Sequence, residues 1–190
     1  MELFFDTETT ALALFKSHYS NEGQPSIVQL GMVLSDKDRI YAKISLVVNP
    51  GDIFPSWSMS KDTEKIHGIS GDIVKTIGVP TSNVLTVFND LARRADTLCC
   101  HNVDFDFLMI RSSLYRAKMG GVIEELEKKK FYCTMKMGTS MCKLPGPYGY
   151  KWPKLVELHK YLFNEGFEGA HDALNDVLAT RRCYYKMIGG

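Results

Sequence analysis

Residues 2–7 form a short apolar run that ends in polar residues, the pattern of a strand buried on both faces. Residues 27–34 and 40–48 are rich in β-formers and flank a polar turn at 35–39. These three segments predict an antiparallel meander. The stretch 11–26, rich in Ser, Asn, Gly and Pro, reads as a loop, and 50–60 is irregular. Helical spacing then appears over 61–66 and breaks at Gly68. It returns over 81–94, where apolar residues stand at 84, 85, 87, 88 and 91 behind a Ser or Thr cap. Residues 97–101 read as a buried strand, 105–118 as a helix and 131–134 as a short strand. A Pro/Gly loop at 144–151 leads to Pro153, suited to the first turn of a helix whose apolar face carries Leu155, Leu158 and Leu162. Residues 172–187 form a last helix. Strands first, then alternating helices and strands, predict one α/β domain over residues 1–190, with a mixed central sheet of about five strands flanked by helices.

Composition narrows the classes of function. The chain is 45% hydrophobic and 24% charged, as in globular proteins. Its formal net charge is only +1, so the broad basic face of a protein that coats duplex nucleic acid is not expected. A protein that grips one strand end, with metal ions supplying positive charge, needs no such face. The five cysteines (Cys99, Cys100, Cys133, Cys142 and Cys183) form no C-x-x-C pattern, so reduced thiols are expected and a zinc site is not. Met1 runs directly into Leu3-Phe4-Phe5 without a basic leader, and no apolar span reaches 18 residues. The expectation is a cytoplasmic protein with no membrane segment. G-x-G-x-x-G and G-x-x-x-x-G-K-[ST] are absent, which disfavours dinucleotide-binding and P-loop proteins.

Three polar fragments stand out against this background. Asp6 and Glu8 close the first strand, and side chains two apart share a face, about 6.5–7 Å apart. Two unpaired acids at the end of an interior strand are costly unless they gain basic partners, a raised pKa or a metal, or unless the strand has simply reached the surface. The second fragment, HNVDFD at 101–106, joins a strand to a helix. Asp104 suits an N-cap or first-turn position there, Asp106 lies inside the first turn, and His101 and Asn102 can fix the turn by bonds to backbone. The third, HDALND at 171–176, opens the last helix. Asp172 is a natural N-cap, with Asn175 three residues on. Asp176 lies at the border of the apolar face and looks inward. His171, on a glycine-containing loop beside that carboxylate, is a candidate proton acceptor.

D-x-E, H-N-x-x-F-D and H-x-x-x-x-D in this order resemble the three motifs of the DEDDh family of 3′–5′ exonucleases, which includes the proofreading epsilon subunit of bacterial DNA polymerase III. The resemblance runs from Phe4 to about Tyr185, and IVQLG at 27–31, IHGIS at 66–70 and the helix after Pro153 also match. A tyrosine branch of the superfamily would carry Tyr where Asp172 stands, whereas His171 fits the histidine branch. Two departures occur: Ala11 stands where the family often has glycine, and the segment 11–24 is long.

The resemblance implies an RNase H-like fold, two divalent ions (Mg²⁺ or Mn²⁺) and release of nucleoside monophosphates from a 3′ end. Carried over by position, Asp6 bridges both ions, Glu8 and Asp176 complete the site of the attacking water, Asp106 serves the second ion, and His171 is the base. Thr7, Thr9, His67, Asn102 and Phe105 are the substrate-binding candidates: Thr9 and His67 by resemblance, Phe105 as a ring for base stacking. Lys151, Lys154, Arg181 and Arg182 are candidates for phosphate contact or for a solvated helix face, and the Lys128–Lys130 run reads as surface. The expected partner is a nucleic-acid 3′ end, DNA and single-stranded at the terminus, in a setting compatible with replication or repair. RNA or short oligonucleotides as substrate, and a non-catalytic nucleic-acid-binding subunit, are the alternatives.

Overall fold

A computed structural model describes residues 1–189. Strands β1 (Glu2–Thr9), β2 (Ile27–Ser35) and β3 (Ile40–Asn49) form the expected antiparallel meander. Helices α1 (Lys61–His67) and α2 (Gly71–Ile77) follow, then β4 (Val79–Pro80), α3 (Thr81–Arg94), β5 (Thr97–Cys100), α4 (Val103–Arg116), α5 (Gly120–Glu127), β6 (Lys130–Cys133) and α6 (Thr134–Cys142). A small hairpin of β7 (Pro145–Gly146) and β8 (Gly149–Tyr150) precedes α7 (Leu155–Phe163) and α8 (Ala173–Met187). The main sheet runs β4-β3-β2-β1-β5-β6, with β1 antiparallel to β2 and parallel to β5. It thus has six strands where about five were expected. The addition is β4, whose two residues are too short to leave a periodic signal.

The alternation of β1 assigns its side chains to two layers. Leu3 and Phe5 face the core built with α3 and α4, which supply Phe88, Met109, Ile110 and Leu114. Phe4 faces α8, where its ring lies 5.3 Å from that of Tyr184. The same alternation sends Thr7 toward α4 and Asp6 and Glu8 toward α8.

The long segment 11–24 is folded around one buried side chain. Gln24 accepts from Leu14 N at 3.1 Å and donates to Leu14 O at 3.1 Å, so its amide replaces the backbone partners that the loop lacks. Arg116 at the end of α4 ties the far side, donating to Glu22 O at 2.9 Å and Ser26 Oγ at 3.2 Å while its guanidinium lies over Phe54.

Candidate active site

The seat of α8 on β2 decides where the carboxylates meet. Gly31 pairs with Asp6 and Gln29 with Glu8 across the β1–β2 ladder. A Cβ at Gly31 would lie 2.5 Å from the Ala173 carbonyl oxygen, so the bare glycine lets the first turn of α8 rest on the strand. Gln29 then clamps that turn: Oε1 accepts from Ala173 N at 3.1 Å and Nε2 donates to Asp172 Oδ2 at 3.1 Å. Asp172 is the N-cap, accepting from Leu174 N and Asn175 N through Oδ1. One turn on, Asp176 reaches the end of β1.

His171 enters from a loop with left-handed backbone (φ 70°), and its N–H donates to Asp176 Oδ2 at 3.2 Å. Asn175 stabilises that loop by donating to Gly169 O at 3.2 Å. Gly169 is itself left-handed (φ 71°) and presses so closely on Asn175 that a Cβ would clash at 2.3 Å. Glu8, His171 and Asp176 each offer a ligand atom, and these atoms lie within 4.8 Å of one another. From the other face Asp106, in the first turn of α4 and only 3% exposed, is held by Thr7: its Oδ1 accepts from Thr7 N at 2.9 Å and Thr7 Oγ at 2.8 Å.

Four carboxylates thus share one corner, and none of them forms an ion pair among the described residues. Burial, then repulsion from Asp106, Asp176 and Glu8, raises the Asp6 carboxyl well above the usual range. Burial first, then Asp176 and Asp106, lifts Glu8 to about 8. Asp106 rises to about 7, again through burial, against the pull of its two Thr7 bonds. Asp176 is raised by burial and partly held back by the His171 N–H, while its Oδ1 is buried with no hydrogen-bond partner. An orphaned buried oxygen, a charge deficit and an all-oxygen set of four carboxylates fit a divalent cation.

The remaining sequence candidates fall in different places. Asn102 and Phe105 line the cleft above the acids, and Asn102 O accepts the N–H groups of Phe105 and Asp106. Thr7 also borders it, with its hydroxyl spent on Asp106. Thr9 is buried, and its hydroxyl donates to Ala11 O at 2.7 Å, closing the turn out of β1. His67 ends α1; its Nδ1 accepts from Ile69 N and its Nε2 is buried without a partner. His101 is fixed by Thr134 Oγ and the Pro153 carbonyl, each at 3.0 Å, and burial lowers it to about 4, so it is neutral, with Nε2–H donating to Pro153.

Asp104 turns away from the acids to an ion pair with Lys136 at 2.7 Å. Arg181 donates to Ser35 Oγ and the Asp36 and Lys37 carbonyls, which holds the β2–β3 turn. Arg182 pairs with Glu165 and Lys151 with Glu157. The cleft, about 710 Å³, is also lined by residues the sequence reading did not single out: Leu12, Met135, Trp152, Val156 and Phe167. For Trp152 the available signal was an aromatic residue between the Pro/Gly loop and Pro153, with no periodic pattern to bury it.

Escherichia coli exonuclease I in complex with a dT13 oligonucleotide superposes with a TM-score of 0.73 at 18% identity, over 98% of this chain and 40% of that one. The zinc-ion-bound E. coli exonuclease I–ssDNA complex gives 0.69 at 20% identity, over 98% and 40%. Exonuclease X in complex with 5′ overhanging duplex DNA gives 0.65 at 22% identity, over 100% and 92%. The chain therefore spans about 40% of the length of exonuclease I. At these identities the likeness establishes the fold, which is RNase H-like with a mixed six-stranded sheet. No curated protein sequence matches the chain. The exonuclease family model RNase_T, in contrast, matches residues 3–184, from the first strand through the last helix. The chain belongs to the RNase_T exonuclease family.

Proposed function

We propose that the protein is a divalent-metal-dependent 3′–5′ exonuclease of the DEDDh type that releases nucleoside 5′-monophosphates from DNA. The observation that carries this reading is the convergence of Asp6, Glu8, Asp106 and Asp176, without a Lys or Arg partner among the described residues, with His171 against them. Two divalent ions, Mg²⁺ or Mn²⁺, would supply positive charge for the phosphoryl oxygens and acidify the attacking water. Asp6, Glu8, Asp106 and Asp176 would hold them. His171 accepts the proton of the attacking water, whose oxygen bonds to phosphorus as the bond to the 3′-oxygen of the shortened strand breaks. Asp176 steadies His171 through its backbone N–H. Thr7 keeps Asp106 aimed at the cleft. Asn102 and Phe105, on the cleft wall, are placed to meet the terminal nucleotide.

Oligonucleotides labelled at either end, with Mg²⁺, Mn²⁺ or EDTA, test the reading. Immediate release of label as mononucleotide from the 3′-labelled strand only, and none in EDTA, is expected. Release from the 5′ end first, or activity in EDTA, would refute it. Matched DNA and RNA strands in the same assay decide the sugar, with faster digestion of DNA expected.

A further inference from the structure

The segment from the β7–β8 hairpin into α7 presents two unlike sides. Pro153 and Leu155 are buried against the body, and the exposed Lys151 is tied to it: its ammonium pairs with Glu157 at 2.6 Å and its N–H donates to Leu144 O at 2.9 Å. The positions between them face out. Tyr150 is 58% and Trp152 61% exposed, Lys154 is exposed, and Tyr148 at the hairpin tip is fully exposed. None of the three rings packs against another aromatic side chain among the described residues, and Lys154 Nζ has no acidic partner among them. Three exposed aromatic rings in a row lower solubility and add nothing to the core. Trp152 and Lys154 line the same cleft as Asp6, Glu8 and His171.

The arm is also stiff. Gly146 lies against Lys151, where a Cβ would stand 3.0 Å from its nitrogen. Glu157 binds both the Lys151 ammonium and the Lys154 N–H. A pre-set row of rings followed by an unpaired ammonium suits a polyanion that carries flat faces.

We propose that Trp152, continued by Tyr150 and Tyr148, is a stacking arm for unpaired bases of the strand whose end enters the acid cleft, with Lys154 on its backbone phosphate. This rests on the exonuclease reading only for which end of the strand lies in the cleft. Bases inside a duplex are stacked on each other and offer no face to Trp152, so the arm selects a strand that is single-stranded for its last few nucleotides.

The test uses the full chain in an Asp6→Asn, Trp57→Phe background, which blocks hydrolysis and leaves Trp152 as the sole tryptophan. Titration with single-stranded DNA or RNA should quench its fluorescence, and blunt duplex DNA should not. Read by the anisotropy of a labelled oligonucleotide, since these variants keep no tryptophan, Trp152→Ala should weaken single-strand binding by roughly 10-fold or more, and Trp152→Phe by far less. An abasic site scanned through the last four nucleotides should weaken binding at one or more positions in the Trp152 protein and at none of those in Trp152→Ala. Melting temperatures within about 2 °C of the parent establish that the variants are folded, as expected for an exposed ring. Single-strand affinity of Trp152→Ala within twofold of the parent, or equal quenching by duplex, overturns the arm even where the wild type digests 3′ ends. Quenching with the Trp152 dependence, where the wild type hydrolyses neither DNA nor RNA in the presence of metal, upholds the arm and removes the exonuclease reading instead.

Discussion

The Asp172 side chain accepts hydrogen bonds from Gln29 Nε2, Leu174 N and Asn175 N, whereas the His171 ring, one residue earlier, lies against Glu8 and Asp176. The neighbours should therefore fail differently. Asp172→Ala removes a helix cap and orphans one Gln29 donor, so urea unfolding should show a loss of ~0.5–2 kcal/mol, toward the upper end. His171→Ala should leave unfolding unchanged and lower kcat by about 10²–10⁴-fold, with loss of the acid limb of the pH–rate profile. Its Mn²⁺ titration midpoint should match the parent; a weakened midpoint would make His171 a ligand in place of a base. At this scale the sequence pointed to Asp6, Glu8, Asp106, His171 and Asp176 only through the family resemblance that the three fragments carry together, and the fold brings these five residues to one cleft. It was silent where a side chain's duty is set by a distant partner. Nothing local tells that Arg181 serves the β2–β3 turn or that Asp104 finds Lys136.

Among elements, the contact of α8 with β2 controls the site, because it carries both His171 and Asp176 to the end of β1. Gly31→Ala would place a methyl 2.5 Å from the Ala173 carbonyl and must lift the start of α8. We expect a loss of about 1–3 kcal/mol in urea unfolding, the usual range for overpacking, together with a fall in nuclease rate. A fully active, fully stable Gly31→Ala would show that the seat of α8 is not what aligns Asp176. The strands β1–β3 were readable from apolar or β-rich runs, and helices α3, α4, α7 and α8 from their spacing. Helices α2, α5 and α6 were not. α2 buries only Val74 and α5 only Ile123 and Leu126, which leaves no stripe to detect. α6 has Met at nearly every apolar position and a mid-helix Gly138, which is explained by Leu158, 2.8 Å from where its Cβ would be. Thr134, read as the end of a strand, starts α6 because its side chain is buried and bonded to His101.

Over the whole molecule, the crowded acids couple stability to pH. Glu8 titrates near 8 in the fold against an ordinary 4.5, and Asp106 near 7 against 3.8, so the folded state binds more protons than the unfolded one between these values. Their contribution is complete below the ordinary carboxylate range and is lost as pH rises through 7 to 8. His101 and His67, with lowered values, act in the opposite direction only below about 6.5. The metal-free protein should thus melt at a lower temperature at pH 9 than at pH 7, and Mn²⁺ should abolish most of that difference; a melting point that climbs from pH 7 to 9 in EDTA would contradict the electrostatics of the corner. The central claim is that this corner holds divalent cations and uses them on a 3′ end. Its most direct measurement is the rate of mononucleotide release from a 3′-labelled strand against Mn²⁺ concentration, for the wild type and Asp6→Asn. The account predicts no release in EDTA, saturable activation of the wild type, and at least about 10³-fold less from an equally folded Asp6→Asn. Release independent of metal, or an Asp6→Asn protein as active as the wild type, would contradict it.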